Sequence, residues 1–333
     1  MIKTKIINKL TKIAKKNSYQ PILTNLLIQD GSIMTTDLDN EYSLTGIDKS
    51  IKGLVKLERD LISNNIVLTD QAIIDGNNRI AISQDELNEF PRIEQDFSGN
   101  SLIDIDLEVI ECALNFACAY DINNILGGVN FEVKNNVLQI ASTDGNIMYY
   151  YDTSLNQDHK DFSITIPVKS LKDFISLISN KKEKVFICID KNQKYLGLSC
   201  GDVNAVLRGL EGTYPRVNQF LDTKIVNTLN TDFKHFKKAN ENIIKLANEI
   251  TYRAHFKGDK LIADYGSIDI NCNGNTDIDI HYSSKLMKCV LTGLSKFKNK
   301  NLEINLTGST SPIYVKSGHG TGTALLMPIK HNN

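Results

Sequence analysis

An internal repeat organises this sequence of 333 residues. The stretch Phe90-Pro91-Arg92-Ile93 recurs 124 positions later as Tyr214-Pro215-Arg216-Val217. Because the whole chain contains only six prolines, chance is a poor explanation for this correspondence. Self-similarity at a fixed period indicates that one structural unit has been copied along the chain.

The pattern of apolar residues indicates three such units. Residues 125–151 alternate apolar and polar side chains through a hairpin at Asn135 and a tight turn at Gly145, after an amphipathic helical run at 107–120. Weaker versions of this order occur at residues 22–44 and 250–271. A chain of this length suits two or three domains of about 100–150 residues. We therefore predict three similar domains, at residues 1–98, 99–222 and 223–333.

The composition is typical of a soluble globular protein, with 41% hydrophobic and 23% charged residues. No apolar run approaches the roughly 20 residues that span a bilayer, and the lysine-rich N-terminus does not resemble a signal peptide, so a cytoplasmic location is expected. The six cysteines lack CxxC spacing and are interpreted as reduced thiols. The six histidines do not lie at ligand spacing from cysteines or carboxylates, so neither a metal nor a cofactor is expected.

The sequence contains no set of residues that indicates catalysis. Asp144 could act as a catalytic carboxylate, but Asp followed by Gly is equally expected in a turn. The glycine-rich residues 318–322 resemble a phosphate-binding loop in composition, yet no helical pattern follows them, so a flexible hairpin is the preferred interpretation. Because nucleophile-elbow spacing is also missing, we predict that the protein is not an enzyme.

Positive charge is concentrated opposite the apolar faces of the predicted helices. Residues 4–16 place lysines at i, i+4, i+7 and i+11 without any acidic residue, although the net charge of the chain is −1. Lysine contacts phosphate without reading bases, and these stripes lack the aromatic residues that stack on single strands. A solvated helix face is the alternative. The favoured interpretation is sequence-independent contact with double-stranded DNA. The residues concerned are Lys5, Lys9, Lys12, Lys16, Lys169, Lys172, Lys234, Lys238, Lys285, Lys288 and Lys296.

Six stretches spread over nearly the whole chain occur in the same order as in one known family. They are Ile22-Leu23 with Asn25-Leu26-Leu27, Leu126-Gly127-Gly128-Val129 with Phe131, Thr143-Asp144-Gly145, Ile166-Pro167 with Lys169, Arg208 through Gly212 with Pro215, and Met327-Pro328-Ile329-Lys330. Taken together, they resemble the bacterial DNA polymerase III beta subunit, the sliding clamp.

The resemblance implies an α+β fold of three similar clamp-type domains, each with two helices backed by an antiparallel sheet. Two chains would close head to tail into a ring, and this homodimer would enclose duplex DNA with helices lining the hole. Such a processivity factor of DNA replication has no catalytic site. Its partners would be double-stranded DNA, a DNA polymerase, a clamp loader and other proteins with clamp-binding motifs. A DNA-contacting position corresponds to Asn17, and a ring-contact position corresponds to Lys245, beside Leu246.

The resemblance also implies a hydrophobic cleft between the second and third domains that binds short peptide motifs of partners. The matching positions are Asn123, Leu126, Thr143, Gly145, Asn146, Met148, Asp222, Leu325, Met327, Pro328 and Ile329. The chain departs from the family where Asn146-Ile147-Met148 replaces His-Arg-Leu, Asn123 replaces an arginine and Asp222 replaces a proline. A methionine-containing wall suits a surface that accepts several peptides. The alternative for each of these positions is an ordinary core residue.

Two other functions remain open from the sequence. A diverged, clamp-like adaptor would bind partner peptides without forming a stable ring, and the mass in solution would distinguish it from a closed dimer. An enzyme of unassigned chemistry is the third possibility, and an ordered cofactor or metal would favour it.

Overall fold

The computed structural model describes residues 4–15, 20–63, 66–118, 124–273, 278, 280–318 and 320–329. The α-helices in these ranges are α1 (Thr4–Ala14), α2 (Leu107–Ala113), α3 (Val168–Leu177), α4 (Phe233–Leu246) and α5 (Ser284–Leu294). The strands are β1 (Leu26–Gln29), β2 (Ser32–Thr36), β3 (Asn40–Thr45), β4 (Gly53–Val55), β5 (Val67–Leu68), β6 (Ala72–Asp75), β7 (Asn78–Ala81), β8 (Ile103–Asp106), β9 (Gly128–Lys134), β10 (Val137–Thr143), β11 (Ile147–Ser154), β12 (Phe162–Pro167), β13 (Lys184–Ile189), β14 (Tyr195–Cys200), β15 (Val203–Arg208), β16 (Asn227–Asp232), β17 (Arg253–Lys257), β18 (Lys260–Ala263), β19 (Gly266–Asp269), β20 (His281–Ser283), β21 (Asn301–Leu306), β22 (Ile313–Lys316) and β23 (Thr323–Leu326).

The chain divides into two compact units that do not follow the sequence order. The first unit comprises Met1–Leu107 and Lys169–Gly209, and the second comprises Glu108–Val168 and Leu210–Asn333. Each unit is built on one eight-stranded sheet. Every strand pair in these sheets is antiparallel, as the alternation of apolar and polar residues predicts for sheets with one face packed on helices. The predicted α+β fold class is confirmed.

The first unit contains a sheet in the order β4-β1-β2-β3-β15-β14-β13-β8. Helix α1 packs its buried Ile6, Ile7 and Leu10 against β2 and β3. Their spacing of three and four residues forms one apolar stripe, and burial of each such side chain contributes about 1.5–3 kcal/mol. The hydroxyl of the fully buried Tyr42 in β3 donates to the Ser170 carbonyl oxygen of α3 at 3.3 Å. A separate three-stranded sheet, β5-β6-β7, completes this unit.

The second unit contains a sheet in the order β12-β9-β10-β11-β23-β22-β21-β16 and a four-stranded sheet in the order β19-β18-β17-β20. Behind the larger sheet, Phe116 stacks on Tyr149 with ring centroids 5.5 Å apart. Helix α5 approaches Phe116 through Gly293, where a Cβ atom would lie only 2.6 Å from the ring. Glycine is therefore required for this close helix contact. In the smaller sheet, Phe256 stacks on Phe236 of α4.

The sequence repeat has a structural reason. The two eight-stranded sheets have the same order of strands, so each strand of the first has a counterpart at the same place in the second. Phe90 precedes Pro91 and packs against Leu27 and Met34 of the first sheet. Tyr214 precedes Pro215 and packs against Ala141 of the second. Each copy of the motif thus places an aromatic ring on its sheet.

Two details differ from the expected helices. The helix predicted for residues 107–120 ends at Ala113, because the side-chain amide of Asn115 donates to the Glu111 carbonyl oxygen at 2.8 Å and occupies the helix end. The described part of residues 1–98 contains one α-helix rather than the two implied by the resemblance. In that region Leu61 is buried in an irregular segment whose backbone is held by hydrogen bonds to the side chain of Asn8.

Candidate functional site

A row of apolar side chains crosses one face of the larger sheet in the second unit. Thr143 of β10 lies opposite Met148 of β11, which lies opposite Leu325 of β23, which in turn lies opposite Tyr314 of β22. Opposed residues in neighbouring strands point to the same face of a sheet, so these four side chains are neighbours. Met148, Leu325 and Tyr314 belong to one apolar cluster.

Segments outside the strands form the walls of this cluster. Ile125, Leu126 and Leu221 are half-buried and pack against it, and Tyr214 and Val217 are buried within it. The Tyr314 hydroxyl makes hydrogen bonds to the Phe220 carbonyl oxygen and, at 2.8 Å, to the Thr223 hydroxyl. Residues 218–223 are therefore fixed over the sheet. Asn124 caps the short 3₁₀ turn that carries Leu126 by accepting the Leu126 amide at 3.0 Å.

The turn between β10 and β11 is organised by Thr143 and Asp144. The Thr143 hydroxyl donates to the Ile147 carbonyl oxygen at 2.6 Å and accepts the Gly145 amide at 3.0 Å. The Asp144 carboxylate accepts the amides of Asn146 and Ile147, both at 2.8 Å. Gly145 has a φ of +91°, a conformation that favours glycine. These contacts assign Asp144 to the turn itself, and they leave Gly145 and Asn146 exposed at its tip.

The segment after β23 continues along this turn. The Met327 amide donates to the Asn146 carbonyl oxygen at 2.9 Å, and the Ile329 amide donates to the His281 carbonyl oxygen at 2.8 Å. Met327 is 40% exposed, while the preceding Leu326 is fully buried. Pro328 and Ile329 are half-buried. Met327 thus exposes an apolar side chain to solvent beside the apolar cluster. We name this site the cleft; its residues are Leu126, Thr143, Gly145, Asn146, Met148, Leu325, Met327, Pro328 and Ile329.

Most of the residues proposed from sequence for a peptide site therefore lie on this face of the second unit. Asp222 lies within residues 218–223, which are held over the sheet, and its side chain is exposed. Asn123 lies outside the described residues. Sequence reasoning missed Tyr150, Tyr214 and Tyr314, which all belong to the cluster. Tyr214 could have been found from its place in the repeated motif, and Tyr150 from its position two residues after Met148 on a predicted strand. No local pattern points to Tyr314.

Lysines of the first unit gather along α1 and α3. Lys5, Lys9 and Lys12, named here the α1 lysines, lie on the face of α1 opposite its apolar stripe. The Lys9 ammonium donates to the Ser176 carbonyl oxygen in α3. Burial, followed by the charges of Lys181 and Lys5, lowers the pKa of Lys9. Lys12 pairs with Asp60 at 3.1 Å. On α3, Lys169 and Lys172 are exposed, whereas Lys16 and Asn17 lie outside the described residues.

The helices of the second unit also carry exposed lysines. Lys234 and Lys238 lie on α4, and Lys285 and Lys288 lie on α5; all four are exposed. The Lys285 ammonium lies 4.6 Å from the centre of the Tyr252 ring, in a cation–π contact. Lys296 follows α5 and is half-buried.

The two residues proposed for the ring contact lie at the end of α4. Lys245 is exposed and Leu246 is half-buried. The Leu246 carbonyl oxygen accepts the Tyr265 amide at 2.9 Å, and its side chain packs against Gly266 at the start of β19. Both residues therefore lie beside an edge strand of the four-stranded sheet.

Within the described ranges, no group of three or more His, Cys, Asp or Glu side chains is arranged to hold a metal ion. None of the described helices combines the length and apolar character needed to cross a bilayer. The described cysteines are free thiols. Burial is the first cause that raises the pKa of Cys188, Cys200 and Cys289.

The family described as DNA polymerase III beta subunit, central domain, matches residues 107–216. A comparison with curated protein sequences gave no match.

Solved structures match almost the whole chain. The DNA polymerase III beta subunit from Thermotoga maritima has a TM-score of 0.75 at 21% identity, with 99% of each chain covered. The beta subunit from Streptococcus pyogenes has a TM-score of 0.78 at 16% identity, again with 99% of each chain covered. The sliding clamp from Bacillus subtilis has a TM-score of 0.76 at 19% identity, covering 99% of this chain and 98% of that one. The chain thus has the fold of the bacterial DNA polymerase III beta subunits over almost its full length, and its residues 107–216 match the family of their central domain.

Proposed function

We propose that this protein is a DNA sliding clamp: a non-catalytic ring that encloses duplex DNA and tethers a polymerase, a clamp loader and other partners through the cleft. The observation that carries the proposal is the cleft, in which the exposed Met327 stands beside an apolar cluster on a clamp fold. An exposed apolar side chain beside an apolar cluster is typical of a peptide-binding site. The flexible thioether of methionine suits several partner side chains.

The strand order supports closure into a ring. Each eight-stranded sheet consists of two groups of four strands. One strand pair joins the two groups: β3 with β15 in the first sheet, and β11 with β23 in the second. The two smaller sheets end in equivalent strands, β7 and β19, which pair within the described residues only with β6 and β18. If β19 and β7 pair in the same way, β19 of one chain joins β7 of a second chain. Edge strands with free backbone groups favour such pairing, and two contacts of this kind close a dimer.

Exposed apolar residues lie near the proposed contact strand β19 of the four-stranded sheet. Ile250 and Tyr265, near the four-stranded sheet, are 89% and 71% exposed. Burial of these side chains would offset the cost of ordering a dimer. The three-domain division at residues 1–98, 99–222 and 223–333 belongs to the same proposal, and the match of a central domain to 107–216 supports it.

The lysines of α1, α3, α4 and α5 fit the contact with DNA. They are ammonium groups on long flexible side chains, which hold phosphates without reading sequence. Weak contacts of this kind permit sliding, whereas a tight specific site would impede it. Both units carry such lysines, on α1 and α3 in the first and on α4 and α5 in the second.

Retention on circular DNA tests enclosure directly. Clamp loaded on a nicked circular plasmid is expected to stay bound during gel filtration at high salt and to leave when a restriction enzyme cuts the circle. If linearisation does not change retention, the protein does not encircle DNA.

A diverged adaptor without a stable ring is the second candidate. Lys245 favours it, because this exposed charge stands beside the edge strand β19 where an apolar contact is expected. Sedimentation equilibrium at micromolar concentration separates the two: a monomer that still binds partner peptides would support the adaptor, and a dimer would support the ring.

A further inference from the structure

Beside the cleft, the same face of the sheet holds a small polar pocket. Its volume is about 220 Å³, and it lies entirely within the second unit. That volume is smaller than the roughly 300–1,000 Å³ of sites for drug-sized ligands, so it suits a single side chain. Three of its lining residues lie on the strands β11, β23 and β22 that also form the apolar row: Tyr150, Thr323 and Lys316.

Each of these three residues lies two positions along its strand from a member of the apolar row. Tyr150 follows Met148 in β11, Thr323 precedes Leu325 in β23, and Lys316 follows Tyr314 in β22. A spacing of two keeps the side chain on the same face and moves it by about 7 Å. Tyr150 and Thr323 are paired in register, and Lys316 lies beside Thr323. The pocket is therefore the continuation of the cleft along the strands.

The interior of the pocket is rich in hydrogen-bond donors. The lining includes the hydroxyls of Tyr150 and Thr323 and the ammonium of Lys316, and none of the three side-chain groups has a hydrogen bond or ion pair within the described ranges. One acceptor of the lining is already engaged, because the Asn305 side-chain oxygen accepts the Thr228 hydroxyl at 2.6 Å. Burial, followed by the charges of Asp152 and Glu132, raises the pKa of Tyr150 to about 12. Its hydroxyl therefore remains a donor at neutral pH.

The carboxylates of Glu303 and Asp152 lie near these donors, and neither forms an ion pair with Lys316 in the described residues. Glu303 lies opposite Lys316 across the strands, but it accepts the Asn305 amide at 2.7 Å and forms no ion pair with Lys316 in the described structure. Asp152 also lines the pocket, yet it is exposed to solvent at the rim, where its charge is screened. Asp222 is not a lining residue, although its neighbours Leu221 and Thr223 are. The positive charge of the half-buried Lys316 is consequently the main charge inside the pocket.

We propose that this pocket binds an acidic side chain, Asp or Glu, of the same partner segment that occupies the cleft. This inference rests on the proposed peptide-binding function and adds to it a specificity for charge beside the apolar anchor. An extended segment advances about 3.3 Å per residue, so the acidic side chain lies two or three residues from the side chain that contacts Met148 and Leu325. Three converging donors suit a carboxylate, whereas a basic side chain would have to approach Lys316.

The test uses a fluorescein-labelled ten-residue peptide from the polymerase of the same organism that binds the full chain and not its Met327→Ala variant. Versions with Glu, Gln or Lys at each of the three positions on either side of the apolar anchor are compared by fluorescence anisotropy. At one position, Glu is expected to bind about threefold to tenfold more tightly than Gln. This preference should disappear in Lys316→Met, weaken in Tyr150→Phe and increase in Asp152→Asn. Lys257→Met, an exposed lysine on β17, is the matched control and should keep the full preference.

The outcomes separate this proposal from the one on which it rests. Binding that depends on Met327 but shows no preference for Glu at any position would overturn the acidic pocket and leave the cleft intact. A preference for Lys that is lost in Asp152→Asn would overturn it in favour of a basic side chain. If no polymerase peptide shows binding that depends on Met327, both proposals fail. Circular dichroism melting of each variant identifies any loss caused by unfolding.

Discussion

Adjacent residues at the end of β23 offer a direct test of the cleft. Leu326 is fully buried behind the sheet, whereas Met327 is 40% exposed beside the turn at Asn146. Truncation of a fully buried leucine to alanine costs about 2–5 kcal/mol of folding free energy. Met327 has less buried surface to lose, so Met327→Ala is expected to cost only about 1 kcal/mol.

For partner binding we expect the opposite order, with the larger effect from Met327→Ala and the smaller from Leu326→Ala. Truncation of an anchor in a binding groove commonly costs at least about 2 kcal/mol, which is roughly a thirtyfold rise in the dissociation constant. Met327→Ala should therefore lose peptide affinity while it remains folded. Leu326→Ala should lose stability, and the fraction that stays folded should bind the peptide with nearly normal affinity.

Urea unfolding monitored by circular dichroism gives the stability change, and fluorescence anisotropy with a polymerase peptide gives the affinity. Both are measured on the same preparations, and analytical ultracentrifugation checks that the assembly state is unchanged. If Met327→Ala destabilises the protein as much as Leu326→Ala does, Met327 is a core residue. An unchanged dissociation constant would show that the peptide does not contact this residue.

Three further predictions concern the first unit. Replacement of the α1 lysines by glutamine is expected to lower the slope of log affinity against log salt by about 0.9 for each phosphate that the protein no longer neutralises, measured by DNA binding at several salt concentrations, without changing peptide affinity. Arg92→Ala should lower the free energy of unfolding in urea by about 1–3 kcal/mol, because it leaves the buried Glu41 carboxylate without the guanidinium nitrogen that now lies 2.9 Å from it. The hydrogen bond from Lys191, the first cause, holds the pKa of Asp96 well below its usual value of about 3.9. Stability from this carboxylate is thus present above that value and lost as the pH falls towards the folded-state pKa, so the difference in melting temperature between wild type and Asp96→Asn should shrink below about pH 4.

The local structure of the second repeat could be predicted from its sequence. Residues 128–154 form β9, β10 and β11 where alternation indicated strands, and the predicted turns lie at Asn135 and Gly145, both with positive φ. These features depend on neighbours within a few residues, so local patterns are sufficient to predict them.

The composition of the cleft required information that a single sequence does not contain. Alternation shows that Met148 and Tyr150 share a face, but it does not show that Leu325 and Thr323 lie opposite them. That register joins strands far apart in the sequence and depends on tertiary packing. The resemblance to a family identified Leu325 and Met327 as site residues, but it did not identify Tyr314. The early end of α2 was missed for a different reason, since an Asn side chain competes for the helix carbonyls.

The repeats visible in the sequence differ from the compact units of the fold, and this difference bears on function. The second repeat contributes β9–β12 to one eight-stranded sheet and β8 with β13–β15 to the other, because its two halves pair with strands of different repeats. The cleft lies on β11 and β23, where strands of the second and third repeats meet. A peptide bound there contacts both repeats at once. Since a ligand that binds only the folded state stabilises it in proportion to the logarithm of its concentration, occupancy of the cleft should strengthen the junction between these two repeats.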